Sequence, residues 1–191
     1  RLTMRLFEIA HRHPILRRLT AIAGADMQKL ANRINQCIHL CILHSGKLLV
    51  VAQVDCPDTN VNTVRIGAQI PIDNSASGRA MAAFLSEEEL AGLLALAGDA
   101  DTPRRAQFLA DLPGVREAGY CQGKSLTIEG VTNISAPIFD YNGRPIAAVT
   151  TPFIHRLTEA EGVPVDEARG LLVEMCRDLS RRMGAGARMA E

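Results

Sequence analysis

Two apolar runs, residues 131–139 and 146–151, are separated by little more than Asp140-Tyr141-Asn142-Gly143, and this spacing constrains the chain more than any other feature. A connection this short, with Asn and Gly to accept turn geometry, folds two strands back on each other as an antiparallel hairpin. A second pattern of the same kind starts at Cys37. Ile38, Leu40 and Ile42 fall on one face, Gly46 turns the chain, and Leu48-Leu49-Val50-Val51-Ala52 reads as a buried partner strand. A further strand is expected at 61–66, before Gly67, and strand character resumes from Tyr120.

Helical spacing fills the rest. Leu2, Leu6, Ile9 and Ala10 form one stripe, and Leu16, Leu19, Ala23, Met27, Leu30 and Ile34 form another beyond Pro14, so two helices meet near that proline. Ser75 or Asn74 can cap a helix through Ala80, Met81, Ala82 and Phe84, and Ser86-Glu87-Glu88-Glu89 is a capping box for the next. Residues 104–117 predict a further helix ending before Gly119. The last carries Ala168, Leu171, Leu172, Met175, Leu179 and Met183 on one stripe and stops at Gly184. Helices, hairpin, helices, hairpin, helix is the order of an α+β domain: one antiparallel β-sheet flanked by helices. Residues 57–62, polar and rich in turn formers, predict a mobile loop.

With 191 residues, 47% hydrophobic and 22% charged, the chain can bury one good-sized core unaided by disulfide or metal. Lys plus Arg equals Asp plus Glu at 21 each, so no basic surface for a phosphate backbone is expected and the chain alone should not hold DNA strongly. The five cysteines, Cys37, Cys41, Cys56, Cys121 and Cys176, are scattered and never form a C-x-x-C pair, which argues for a reducing cytoplasm. No apolar run approaches the roughly 18 residues of a membrane span, so no membrane partner is expected. The chain opens at Arg1-Leu2-Thr3 inside an amphipathic pattern, and reads as a piece of a longer protein.

The segment GAQIPIDNSASGRAMAAFL, residues 67–85, resembles the central signature of IclR-type effector-binding domains. Val115-Arg116-Glu117-Ala118-Gly119-Tyr120, then the stretch from Gly130 to Asp140, then Gly143 to Val149, follow in the family order. Leu179-Ser180-Arg181-Arg182-Met183-Gly184 fits the closing helix and Leu6-Phe7-Glu8-Ile9 the linker helix that follows the family's DNA-binding head. The resemblance implies a GAF-like, profilin-like sensor domain over 14–191. Residues 1–13 would be the linker from a winged helix-turn-helix domain that this sequence lacks. It further implies a homodimer or homotetramer that touches DNA only through that missing domain, and a small-molecule effector.

Residues 74–78 are the physical case for an effector site. Small residues at a helix start leave up to four backbone N–H groups for an anion, Ser75 and Ser77 add hydroxyls, and Ala76 and Gly78 allow close approach. A carboxylate is the natural guest, and an ordinary capped helix is the alternative. Carried over residue by residue, the family's pocket positions fall at Ala76, Ser77, Gly123, Val131, Asn133, Thr150 and Pro152. Asn133 and Thr150 are the polar candidates, able to share a pocket if the hairpin register permits, or else bonded across the strands. Gly123 and Pro152 stand where some family members carry polar side chains, which favours a larger or more apolar acid.

Catalysis is not expected. Cys37, His39 and Cys41 share a strand face near His44, but neighbours along such a face stand about 7 Å apart, too far to converge on one metal. They are expected to be packed or surface residues, with neither metal nor cofactor. Cys121 falls in a loop beside the pocket with only Lys124 to activate it. Tyr120 and Phe153 read as core packing, and His11, His13 and His155 as solvated. Two other readings stand: a stand-alone GAF-like sensor or enzyme, and a structural dimerisation domain, which would have a collapsed interior near Ser77 and Asn133.

Overall fold

The structure is a computed structural model that describes residues 14–57, 64–98, 102–155 and 162–186. The expected helix with Leu2, Leu6, Ile9 and Ala10, together with His11 and His13, lies outside the described residues, as does all of the 57–62 loop beyond Pro57.

Helix α1 (Pro14–Ile34) leads into the hairpin of β1 (Ile38–His44) and β2 (Lys47–Val54). Short β3 (Gln69–Pro71) is followed by a single 3-10 turn (Ile72–Asn74), α2 (Ala76–Ala82), α3 (Glu87–Leu96) and α4 (Pro103–Ala118). Edge strand β4 (Cys121–Lys124), the hairpin of β5 (Val131–Phe139) and β6 (Pro145–Ile154), and α5 (Val165–Arg182) complete the chain. The strands form one six-stranded sheet in the order β3-β2-β1-β6-β5-β4, every pair antiparallel.

Local chemistry explains most of these boundaries. Ser45 and Gly46 take φ of 49° and 76°, the paired positive values of a primed hairpin turn. Asp140 Oδ1 accepts the N–H groups of Asn142 and Arg144 at 2.9 and 3.0 Å and so shapes the second turn. Ser86 and Glu89 close the full capping box of α3, and Thr102 caps α4 by accepting Arg105 N–H at 3.2 Å. The strand expected at 61–66 is not formed over its described part. Ile66 is 65% exposed, and residues 67–71 take the edge of β2 instead, with Gly67 N–H donating to Val50 O at 2.8 Å. Cys121 lies in β4 rather than in a loop.

Each face of the sheet has its own core. Leu19, Met27 and Ile34 of α1 and Leu172, Cys176 and Leu179 of α5 pack on Ile38, Leu40, Ile134, Ala136 and Val149. On the opposite face Met81 of α2 and Phe108, Leu112 and Val115 of α4 cover Cys41, Leu48, Val50, Cys121 and Ala148. Arg182 of α5 pairs with Asp26 of α1, and Ser180 Oγ accepts Phe139 N–H at 3.0 Å, anchoring α5 to the end of β5.

The first hairpin turn also supports the end of α3, because a Cβ at Gly46 would stand 2.5 Å from the Leu96 carbonyl carbon. Gly46→Ala is therefore expected to lower the free energy of unfolding in urea by about 1–3 kcal/mol, through overpacking and the positive φ together. Gly123→Ala, whose methyl would meet nothing within 4 Å, is expected to leave the transition where it is.

Candidate functional site

The site is assembled on the sheet face that α2 and α4 cover, out of side chains brought level by strand register. Gln53, His39, Thr150, Ser135 and Cys121 are successive cross-strand partners on β2, β1, β6, β5 and β4. A second row aligns Gly123 with Asn133 and Asn133 with Pro152. Directly opposed residues project to the same face, so both rows point toward α2.

The segment that descends onto these rows is fixed from beneath and from the side. Ser75 caps α2 by accepting Gly78 N–H at 3.0 Å. A Cβ at Gly78 would fall 1.9 Å from the Ile72 carbonyl oxygen, so this glycine lets the helix close on the preceding 3-10 turn and not on a guest. That corrects the expected role of Gly78, and one of the N–H groups expected to meet an anion is already bonded. Asp73, buried at 5% exposure, pairs with Arg105 at 3.1 Å and with Arg104 at 3.9 Å, and Arg79 pairs with Asp111 at 2.8 Å, so three ion pairs tie the 72–79 segment to α4.

Ala76, Ser77, Val131, Asn133, Thr150 and Pro152 line one cavity of about 530 Å³. Gly123 does not line it. It opens into a neighbouring cavity of about 810 Å³, which also reaches Arg79, Lys124 and Arg169 and shares Asn74, Ser75, Ala76 and Asn133 with the first. Of the polar pair, Thr150 is buried and Asn133 half-buried. Thr150 Oγ1 donates across the strands to Ser135 Oγ at 2.8 Å, and Ser135 Oγ donates to Val149 O at 3.2 Å. The 2.6 Å contact between Ser77 and Thr150 must then carry the Ser77 proton, since each hydroxyl has only one. The Asn133 side chain has no hydrogen-bond partner among the described residues and borders both cavities.

The sequence reading missed His39 and Arg65, which line the same cavity. His39 is buried at 5% exposure and its ring has no hydrogen-bond partner among the described residues. Among the described residues no fully buried side-chain nitrogen or oxygen lacks a partner, so the unbonded His39 nitrogens keep some exposure, and the ring lines the cavity. Burial alone pushes its pKa down to about 4, which leaves the ring neutral. Arg65 is exposed, and the described lining includes no Asp or Glu. A buried histidine two positions from a buried cysteine on β1 was the available signal, and it pointed to packing as readily as to a ligand.

No three His, Cys, Asp or Glu side chains converge as metal ligands among the described residues. Cys37 Sγ instead accepts Cys56 N–H at 3.2 Å, and Cys41 is hydrogen-bonded with Ser77. Burial pushes the Cys41 thiol up to about 12 and that of Cys121 to about 11, so neither supplies a thiolate near neutrality. Phe153 packs in the α1 and α5 core, while His155 Nε2 lies 2.8 Å from Thr132 Oγ1. No described helix is long and apolar enough to cross a membrane.

Residues 11–181 match the family described as bacterial transcriptional regulator IclR C-terminal. The chain belongs to this family. The glycerol operon regulatory protein of Streptomyces coelicolor is 32% identical over 164 residues, 82% of this chain and 63% of that protein. The HTH-type transcriptional repressor AllR of Escherichia coli UTI89 is 27% identical over 179 residues, 91% of this chain and 65% of that protein. The chain thus spans a little under two thirds of these relatives. The crystal structure of an IclR homologue from Microbacterium hydrocarbonoxydans, complexed with 4-hydroxybenzoate, superposes with a TM-score of 0.78 at 22% identity, covering 96% of this chain and 75% of that one. The sheet with helices on both faces is the GAF-like IclR effector-domain architecture that the sequence resembles.

Removing Arg105 takes from buried Asp73 its nearer partner while Arg104 stays at 3.9 Å, and Arg105→Ala is expected to cost about 1–3 kcal/mol in urea unfolding. His39 gives a pH dependence of definite sign. Its folded pKa lies below the unfolded value near 6.5, so the unfolded chain binds the extra proton and stability falls as pH drops from about 6.5 toward about 4. Between about pH 7 and about pH 5, His39→Phe should lose about 2 kcal/mol less stability than wild type.

Proposed function

We propose that this IclR C-terminal domain is an effector sensor, and that a small carboxylate occupies the cavity of about 530 Å³ between α2 and the sheet. The observation that carries the reading is the cavity's polar lining: the Arg65 cation and the neutral His39 ring line it, Asn133 has no partner among the described residues, and none of the described lining is acidic. An anion entering such a space meets donors and no repulsion. The carboxylate bound by the Microbacterium homologue is of the proposed class, and the fold is shared. Ala76, Ser77, Val131, Asn133, Thr150 and Pro152 line the effector's place, with Gly123 opening room for a bulkier acid on the side of Asn133.

In the intact cytoplasmic regulator the sensor, residues 14–191, joins through a linker at 1–13 to a DNA-binding domain of the kind named in its HTH-type relative. The domain acts by binding and not by catalysis. As a homodimer or homotetramer it takes two arrangements, and the effector favours one of them by the 1–3 kcal/mol typical of allosteric coupling, altering operator affinity. A cavity open at Ser77 and Asn133 speaks against a purely structural dimerisation role.

A thermal-shift screen of the 191-residue chain against aliphatic and aromatic carboxylates tests the reading. At least one acid is expected to give a saturable rise in Tm. Asn133→Ala should weaken that acid about tenfold, the loss of one hydrogen bond to a charged group, with unchanged stability of the free protein. No shift across acetate, succinate, benzoate, 4-hydroxybenzoate and their homologues would remove the carboxylate assignment.

A further inference from the structure

We propose that His39 is the specificity-determining residue of this cavity: its ring N–H meets the anionic group of the ligand. The inference rests on the sensor reading above and adds to it the group that distinguishes an acid from its neutral isostere.

Donor inventory singles it out. The hydroxyl protons of Ser77, Thr150 and Ser135 are committed in one direction, ending on Val149 O, so the two that line the cavity can only accept from a guest. Ser75 Oγ accepts Gly78 N–H and donates to Ile72 O at 3.4 Å. Among the side-chain amides and imidazole of the lining this leaves the His39 ring and the half-buried Asn74 and Asn133 amides, none with a partner among the described residues. Of these, His39 alone can also gain charge. It stands beside Thr150 on the cross-strand row, at the cavity's sheet wall.

The groups around the ring leave its charge to the ligand. From β2 it faces neutral Gln53, whose Nε2 is bonded to exposed Asp55 at 2.5 Å; from β6 and α2 it faces Thr150 and Ser77. Along β1 the next titratable group is Cys41, held protonated by burial, and from the 64–69 segment the one charged group is Arg65. Burial is the cause of the ring's neutrality, and no carboxylate of the described residues stands ready to offset it. A ligand carboxylate does so on arrival. Free protein, ligand anion and one solvent proton then combine into a complex containing an imidazolium–carboxylate pair, which low local polarity strengthens. Binding tightens as pH falls, by up to tenfold for each unit between the ring's titration in the complex and its titration in the free protein.

The test pairs each carboxylate of the screen with its amide and follows the imidazole ¹⁵N resonances of the wild-type chain over about pH 5 to about pH 8, the range where histidine ordinarily titrates. The expected result is that an acid, and not its amide, raises the His39 titration while those of His44 and His155 stay in place. His39→Gln, which keeps a donor but cannot take a proton, should bind the same acid about tenfold weaker with a flat pH profile. An acid that binds without moving the His39 resonances, or an amide that binds equally well, overturns the role of His39 and leaves the sensor reading standing. A panel in which no acid binds removes both. The wild-type resonances decide the matter even if the variant fails to fold.

Discussion

The structure depends on a short stretch of backbone pairing in which His39, Leu40 and Cys41 meet Thr150, Val149 and Ala148. Each hairpin is specified by its own turn, but two hairpins side by side are only two ribbons. Joining β1 to β6 makes them one sheet, and only a continuous sheet offers faces wide enough for α1 and α5 on one side and α2 and α4 on the other. The partners lie far apart in the chain, so loop closure must precede the reward of burial. The same three pairs set His39 beside Thr150, so core and candidate site share one seam.

Features governed by neighbours in the chain were legible in the sequence. The hairpin turns at Gly46 and Gly143, the capping box from Ser86 to Glu89 and the stripe of α5 all formed where their residue types stand. What could not be read depends on partners that sequence distance hides. The strand expected at 61–66 gave way to 69–71 because the free edge of β2 was filled by the chain beyond Gly67. Gly78 suited an anion's approach on paper, but its space is taken by the Ile72 carbonyl. The positions carried over by resemblance lie around two adjoining cavities, yet His39 and Arg65 were not among them, and the strand-face pattern that held His39 pointed to packing.

Polarity around the cavity follows from where the prolines fall. Pro152 sits in β6 beyond the stretch paired with β1, where a missing N–H interrupts no ladder. Opposite it Asn133 faces Gly123, which has no side chain to fill the adjoining space. The pairing of β1 with β6 therefore stops at Thr150, short of the row where a polar amide is left over, while the hydroxyls deeper in satisfy one another and the backbone. An interior of this kind is finished underneath and unfinished at its surface, as a preformed receptor requires.

The five buried cysteines acquire a use from their distribution. Cys37 and Cys56 bond near the entry to β1, Cys41 lies under α2, Cys121 in the edge strand and Cys176 in α5 against the sheet's other face. Cys41 and Cys176 are fully buried on opposite faces of the sheet, so the rate at which an alkylating reagent labels each reports how often its own part of the domain opens. The protein thus carries a native clock on each face of its sheet, and the two time the breathing of the domain without any introduced probe.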